Sequence, residues 1–187
     1  MDFNLPAELV DYLAKIDAFI EAEIKPLQAQ DDNERFFDHR REWARTDFDK
    51  GGLPRPEWEA LLVKAKKLAD KAGFFRFSLP REFGGQDGNN LWMSVIRDHL
   101  AAKGLGLFND LQNEHSVVGN FPFIVMLRDF GTQAQKDHFL PRLAKGQEIP
   151  CFALTSPEAG SDAASIPDFG IVCKGQHEGR EVLGIRL

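Results

Sequence analysis

Cys151-Phe152-Ala153-Leu154-Thr155-Ser156-Pro157-Glu158-Ala159-Gly160-Ser161-Asp162 is the stretch at which the character of the chain changes. Upstream of it, apolar residues recur at helical spacing; downstream they come in short β-branched or alternating runs. The stretch itself starts as a strand and runs into a loop of small and hydroxyl-bearing residues. Gly160 would let the backbone approach a ligand closely, and Thr155 and Ser161 place hydroxyls beside backbone N–H groups, which suits an anion or cofactor loop. A plain strand-to-turn connection, with Ser161-Asp162 as an ordinary turn, accounts for the same residues.

Working upstream, the first two-thirds of the chain read as helices. Leu9, Tyr12, Leu13, Ile16, Phe19, Ile20, Ile24 and Leu27 fall on one face of a long amphipathic helix, with Pro6 near its first turn and Pro26 near its end. Residues 31–55 are rich in charge and aromatics and read as a long connector with one helical stretch. A second helix starts near Pro56, buries Trp58, Leu61, Leu62, Ala65, Leu68 and Ala69, and stops at Gly73. Pro80-Arg81-Glu82-Phe83-Gly84-Gly85 is a turn whose paired glycines permit tight backbone geometry. Asn89 or Asn90 caps a third helix with Trp92, Val95, Ile96, His99 and Leu100 on one side. A fourth helix is expected from about Ser116 to Phe130. It is apolar nearly all round and therefore expected to be central, with Pro122 either distorting its first half or starting the regular helix. Thr132 and Gln135 form the capping box of a fifth helix through Leu143, closed by Gly146.

Downstream, Ile149 to Leu154, Gly170 to Lys174 and Val182 to Leu187 read as strands, and a boundary falls near Gln147. The last strand runs to Leu187, which reads as the opening of an interrupted β domain.

A net charge of -6 disfavours a nucleic-acid or anionic-membrane surface, since both need clustered Lys and Arg. Cys151 and Cys173 have no CxxC spacing and suit small buried hydrophobes in a reducing cytoplasm. The N-terminus lacks a signal core or transit pattern, and no apolar run approaches the roughly 20 residues of a membrane span. His39, His99, His115, His138 and His177 are scattered and read as structural or solvated. Neither a nucleophile elbow nor a strand-borne G-x-G-x-x-G is present. A soluble, cytoplasmic protein is expected.

Three separated segments together resemble the acyl-CoA dehydrogenase family. Ala153 to Asp162 looks like its middle-domain A-[LM]-T-[ES]-P-x-A-G-S-D signature. Pro80 to Gly85 looks like its P-x-E-[YF]-G-G turn. Phe130-Gly131-Thr132-Gln133-Ala134-Gln135-Lys136 with Leu140 to Gly146 looks like its F-G-T-x-x-Q-K…L-P-x-L-x-x-G segment. The resemblance implies a mainly α chain: an all-α N-terminal helical domain over 1–147, then the first strands of a β-barrel middle domain over 148–187. It implies FAD as cofactor, an acyl-CoA thioester as substrate, electron-transfer flavoprotein as acceptor, a homo-oligomer, and α,β-dehydrogenation in fatty-acid β-oxidation. Carried over by position, Phe152, Ala153, Leu154 and Thr155 line the flavin, with Thr155 hydrogen-bonding the ring edge. Ser161 contacts the pyrophosphate or the acyl-CoA.

Ser156 departs from the commoner glutamate. With Ile166-Pro167-Asp168 and Gly179-Arg180-Glu181-Val182-Leu183-Gly184, it resembles the larger bacterial fatty-acid branch, whereas the N-terminal 130 residues resemble a smaller-enzyme branch. An ungapped match at Phe121-Pro122 puts Glu114 and Val118 on the wall of the acyl tail; the other reading makes Val118 core and Glu114 a surface charge. The family's glutamate base has no counterpart in 1–187, so no catalytic residue is assigned, and the chain is expected to be a truncated, inactive form. A non-catalytic helical module and a flavin acyl-CoA oxidase or monooxygenase are the alternative readings.

Overall fold

The computed structural model describes residues 4–38, 42–109, 117–119, 121–144, 148, 150, 154–156 and 158–186. The chain divides into two compact units, Met1–Glu148 and Ile149–Leu187.

The first unit is helical because its apolar residues fall in stripes. Helix α1 spans Ala7–Phe19 and buries Leu9, Leu13 and Ile16. Its stripe continues through Ile20 and Ile24 in a π-helical turn, Ile20–Ile24, and ends at Leu27 in α2, Lys25–Ala29. The widened turn sits directly before Pro26. Proline lacks the N–H that would reach the carbonyl four residues back, and its ring crowds that carbonyl. The Lys25 N–H instead donates to the Ile20 carbonyl, five residues back.

The connector that follows is more ordered than its composition implies. Short 3₁₀ turns at Asn33–Phe37 and Glu42–Ala44 precede an antiparallel pair, β1 (Thr46–Asp47) and β2 (Leu53–Pro54), in register Thr46↔Pro54, and a third at Phe48–Lys50 connects its strands. Arg45 pins it: its Nε donates to the Phe36 carbonyl at 2.5 Å, and its guanidinium lies 4.4 Å from the Trp58 ring centroid. Arginine stacks on aromatic faces because its charge is delocalised and weakly hydrated.

Helix α3, Pro56–Lys71, buries Trp58, Leu61, Ala65 and Ala69. Helix α4, Asn90–Ala101, starts where the Asn89 side chain accepts from the Trp92 N–H at 2.9 Å, and buries Met93, Ile96 and Leu100. Asp17 of α1 joins the end of α4: its Oδ1 lies 2.7 Å from His99 Nε2 and 2.9 Å from Lys103 Nζ. Tyr12, Phe74, Phe77 and Trp92 pack as an aromatic group within the main core. Burial there pushes the Tyr12 hydroxyl up to about 12.

Of the two readings of Pro122, the one that starts the regular helix there holds, while the expected length and central position do not. Helix α5 covers Pro122–Phe130, with Pro122 at its first turn, and is neither long nor central. Val117 and Val118 are buried but precede it in non-helical chain, where Val117 N–H donates to the Phe108 carbonyl and Gly119 N–H to that of Phe75. Proline's fixed φ favours a first-turn position, so the helix starts there. Only Ile124 of α5 is buried, against a small second cluster with Leu79, Leu140 and Leu143. Phe123, Met126 and Phe130 are exposed. Helix α6, Gln133–Ala144, opens with the expected reciprocal cap: Thr132 N–H donates to Gln135 Oε1 at 2.9 Å, and Gln135 N–H donates to Thr132 Oγ1 at 3.3 Å.

Among the described residues of the second unit there is one antiparallel hairpin, β3 (Ile171–His177) and β4 (Arg180–Arg186), paired from Ile171↔Arg186 to His177↔Arg180. Glu178 and Gly179, at φ 51° and 74°, make the two-residue turn that matches strand twist. Both strands run longer than expected, because the turn needs only two residues. The strand expected over Ile149–Leu154 falls mostly outside the described residues, and Leu154–Ser156 is not a strand. The chain is thus mainly helical, with short antiparallel pairs.

Candidate functional site

The loop after Leu154 is shaped by its own hydroxyls. Ser156 N–H donates to the Ala159 carbonyl at 3.1 Å, and Ala159 N–H donates to Ser156 Oγ at 3.3 Å. This reciprocal pair closes a turn, so Ser156 acts as a local brace. Asp162 then starts a 3₁₀ turn, Ala163–Ser165. Its Oδ1 accepts from Ala164 N–H at 3.2 Å, and its Oδ2 accepts from Ser165 Oγ–H at 2.5 Å. Several backbone donors that could have met an anion are therefore occupied within the loop itself.

What remains outward is an exposed shelf. Leu154, Thr155 and Ser161 are exposed, and a Cβ built on Gly160 would meet nothing within 4 Å. Phe152 and Ala153 lie outside the described residues, as does Glu114. Val118 is fully buried in the helical core of the first unit. A fatty chain could touch it only after a neighbouring side chain moved. The structure therefore brings Leu154, Thr155 and Ser161 into one loop and sets Val118 in the other unit.

Beside that loop the second unit has an open hollow of about 550 Å³, lined by Ser156, Glu158, Asp168, Phe169, Ile171 and Arg186, among others. Phe169 and Arg186 escaped the sequence reading. The signal was an aromatic before a strand and a cation at the strand's far end, which are ordinary surface features until the ladder register brings Ile171 opposite Arg186.

The residues fit a flavin along one side. Leu154 offers apolar surface to a planar ring, and Thr155 and Ser161 offer hydroxyls that can donate or accept. Glu158, Asp162 and Asp168 make the same region acidic, so a pyrophosphate would find its nearby cation in Arg186. Among the described residues no three His, Cys, Asp or Glu side chains gather to hold a metal ion. Cys173 is a free thiol, and no helix among these residues is long and apolar enough to cross a membrane.

Residues 46–147 match the family model for the acyl-CoA dehydrogenase N-terminal domain. An acryloyl-CoA reductase (NADH) from Anaerotignum propionicum is 29% identical over 174 residues, which is 92% of this chain and 36% of that protein. The mitochondrial very long-chain specific acyl-CoA dehydrogenase of Bos taurus is 36% identical over 132 residues, covering 71% of this chain and 18% of its own. The chain thus spans well under half the length of either relative. Among solved structures, acyl-CoA dehydrogenase from Geobacillus kaustophilus superposes with a TM-score of 0.50 at 22% identity, covering 98% of this chain and 39% of that one. That likeness concerns the fold; with the match over 46–147, it follows that the chain belongs to the acyl-CoA dehydrogenase family.

Proposed function

We propose that the chain supplies one wall of the flavin and thioester site of an FAD-dependent acyl-CoA dehydrogenase acting in fatty-acid β-oxidation. The observation that carries this reading is the exposed loop Leu154–Ser161, with its two outward hydroxyls, following a helical unit that matches the family. In it, Phe152, Ala153 and Leu154 cover a face of the ring and keep water from it. The Thr155 hydroxyl orients the ring edge. Ser161 hydrogen-bonds a phosphate of the cofactor or the acyl-CoA, and Glu114 borders the acyl tail, which would reach the fully buried Val118 only after a neighbouring side chain moved. FAD, when bound, supplies a two-electron acceptor for hydrogen leaving the thioester's α and β carbons. No residue of 1–187 is assigned the proton-abstracting role.

Electron-transfer flavoprotein is the acceptor in this reading, and the protein is a cytoplasmic homo-oligomer. Reduction of an α,β-unsaturated thioester is the second reading. It is favoured by the acryloyl-CoA reductase that aligns with 92% of the chain.

The test is anaerobic titration of the protein, expressed from its complete reading frame and loaded with FAD, with saturated acyl-CoA of several lengths. Bleaching of the flavin is expected. Thr155→Val, which keeps the shape and removes the hydroxyl, should weaken FAD binding about fivefold to tenfold. A flavin that no saturated acyl-CoA bleaches, but that once reduced is reoxidised by enoyl-CoA, would favour the second reading. Indifference to both thioesters would overturn the proposal.

A further inference from the structure

Of all the Asn and Asp residues in the sequence, only Asp87 is followed by glycine. At such a step the backbone can turn on its own side chain, because glycine has nothing on its α carbon to shield its nitrogen. Asp87 also sits in left-handed backbone, at φ 53°, which strains most side chains and which Asp tolerates better than most. The turn engages every group that such a reaction uses. Gly88 N–H donates to the Phe77 carbonyl at 2.8 Å, and Asp87 N–H donates to that of Leu79 at 3.0 Å. Asp87 Oδ1 accepts from the Arg81 backbone N–H at 3.1 Å, and its Oδ2 lies 3.3 Å from Arg81 Nε. Gly88 is clasped from the other side: a Cβ there would lie 2.3 Å from the Phe77 ring. The Asp87 side chain is nonetheless half exposed, so water reaches it.

We propose that Asp87–Gly88 is a self-modification site that this turn holds shut, and that opening of the turn commits Asp87 to isoaspartate. In the open turn the Gly88 nitrogen attacks Asp87 Cγ and the N–Cγ bond forms. One carboxylate oxygen leaves as water, taking the amide proton and a second proton from solvent. Water then adds back to the five-membered imide. Cleavage at the Asp87 α-carbonyl leaves the chain linked through Cγ, with a free carboxylate on Cα. No reactant other than water is needed. The product carries one extra backbone atom between residues 87 and 88. That displaces Gly88 from the Phe77 carbonyl and ring, so an opened turn does not close again as before.

While closing outpaces the chemistry, the native rate equals the unfolded rate multiplied by the open fraction. The same opening frees the Gly88 amide for hydrogen exchange, so the two readouts should give one factor. The experiment incubates the 187-residue chain at neutral pH, folded and in urea. Isoaspartate at position 87 is read by chromatography of its peptide and by methylation with an isoaspartyl-directed methyltransferase. Gly88 exchange is followed by NMR. Conversion is expected in urea, and in the folded chain it should be slowed by the Gly88 protection factor. Arg81→Gln, which removes an exposed ion pair, should speed conversion and Gly88 exchange together, about twofold to fivefold. Asp87→Gly should form no isoaspartate at this position and should recover more completely from repeated heating. Lys174→Gln, an exposed lysine in the second unit, should change neither readout. Folded conversion as fast as in urea while Gly88 stays protected would overturn the proposal. So would indifference of both readouts to Arg81→Gln, faster exchange without faster conversion, or no conversion of residue 87 in urea.

Discussion

Replacing Gly85 by alanine tests whether the turn at Pro80–Gly85 is held by close backbone contact. A Cβ at position 85 would lie 1.9 Å from the Leu79 carbonyl oxygen, 2.3 Å from its carbon and 2.5 Å from Leu79 Cβ. None of these atoms is the free end of a flexible side chain. Opening the shortest contact to an ordinary 3.4 Å displaces one stretch of chain from the other by about 1.5 Å. Leu79 cannot retreat easily, since it is buried against Ile124, Leu140 and Leu143. Its carbonyl also accepts the Asp87 N–H at 3.0 Å, and Gly85 N–H donates to the Pro80 carbonyl at 3.0 Å. Overpacking a fitted core costs about 1–3 kcal/mol, and a strained backbone hydrogen bond about 1 kcal/mol more. A loss near 3 kcal/mol corresponds to a fall in Tm of about 6–12 °C in a chain of this length. Gly73→Ala is the control, because its φ of +86° makes alanine strained while nothing lies within 4 Å of the new Cβ. That left-handed cost alone is about 1–2 kcal/mol. Thermal unfolding followed by far-ultraviolet circular dichroism compares the two. A Gly85→Ala protein no less stable than Gly73→Ala would refute the contact argument.

Other outcomes follow from single contacts. Burial of Asp17 raises its pKa, but hydrogen bonds from Lys103 and His99 and their charges more than offset this and hold it below the usual 3.8. A depressed folded pKa stabilises the fold above the unfolded value and loses that effect as pH falls through the folded one. The Tm gap between wild type and Asp17→Asn should therefore shrink as pH drops below about 4, and a gap constant through that range would contradict the assignment. Thr132→Ala should cost about 1 kcal/mol by removing the α6 cap, read as faster hydrogen exchange in the first turns of α6. Val172, Leu183 and Ile185 are 64%, 75% and 67% exposed on a hairpin that pairs with no third strand among the described residues. Self-association through the second unit is expected by light scattering, and Leu183→Lys should reduce it; a parent that is monomeric throughout would count against this.

The helical half was legible in outline because its signals are local. Asn89 and the Thr132–Gln135 box cap helices where the sequence places them, since a capping side chain needs only the backbone three residues on. The stripe from Leu9 to Leu27 was readable too, but not the π-helical turn within it, which depends on how the chain accommodates Pro26. The extent of α5 was misjudged for a non-local reason. Val117 and Val118 are apolar enough for a helix, yet the chain around them is tied to Phe108 and Phe75, residues remote in sequence. An all-round apolar pattern fixes neither a helix's start nor its depth; those depend on which partners arrive.

The site divides along the same line. Hydroxyl and glycine chemistry in Leu154–Asp162 is written in consecutive residues, and its turn bonds span two or three positions. The hollow beside it depends on the register of the hairpin, which sets Ile171 opposite Arg186 across a turn at Glu178-Gly179. Shifting that register by one residue would carry Arg186 to the other face of the ladder and out of the hollow. The alternation of Val182, Leu183 and Ile185 alone does not determine the register, because both faces of this hairpin carry apolar side chains. The two-residue turn does. The hollow in this unit is therefore legible only after Gly179, a turn residue outside its lining, has been read as the fixed point from which the strands are counted.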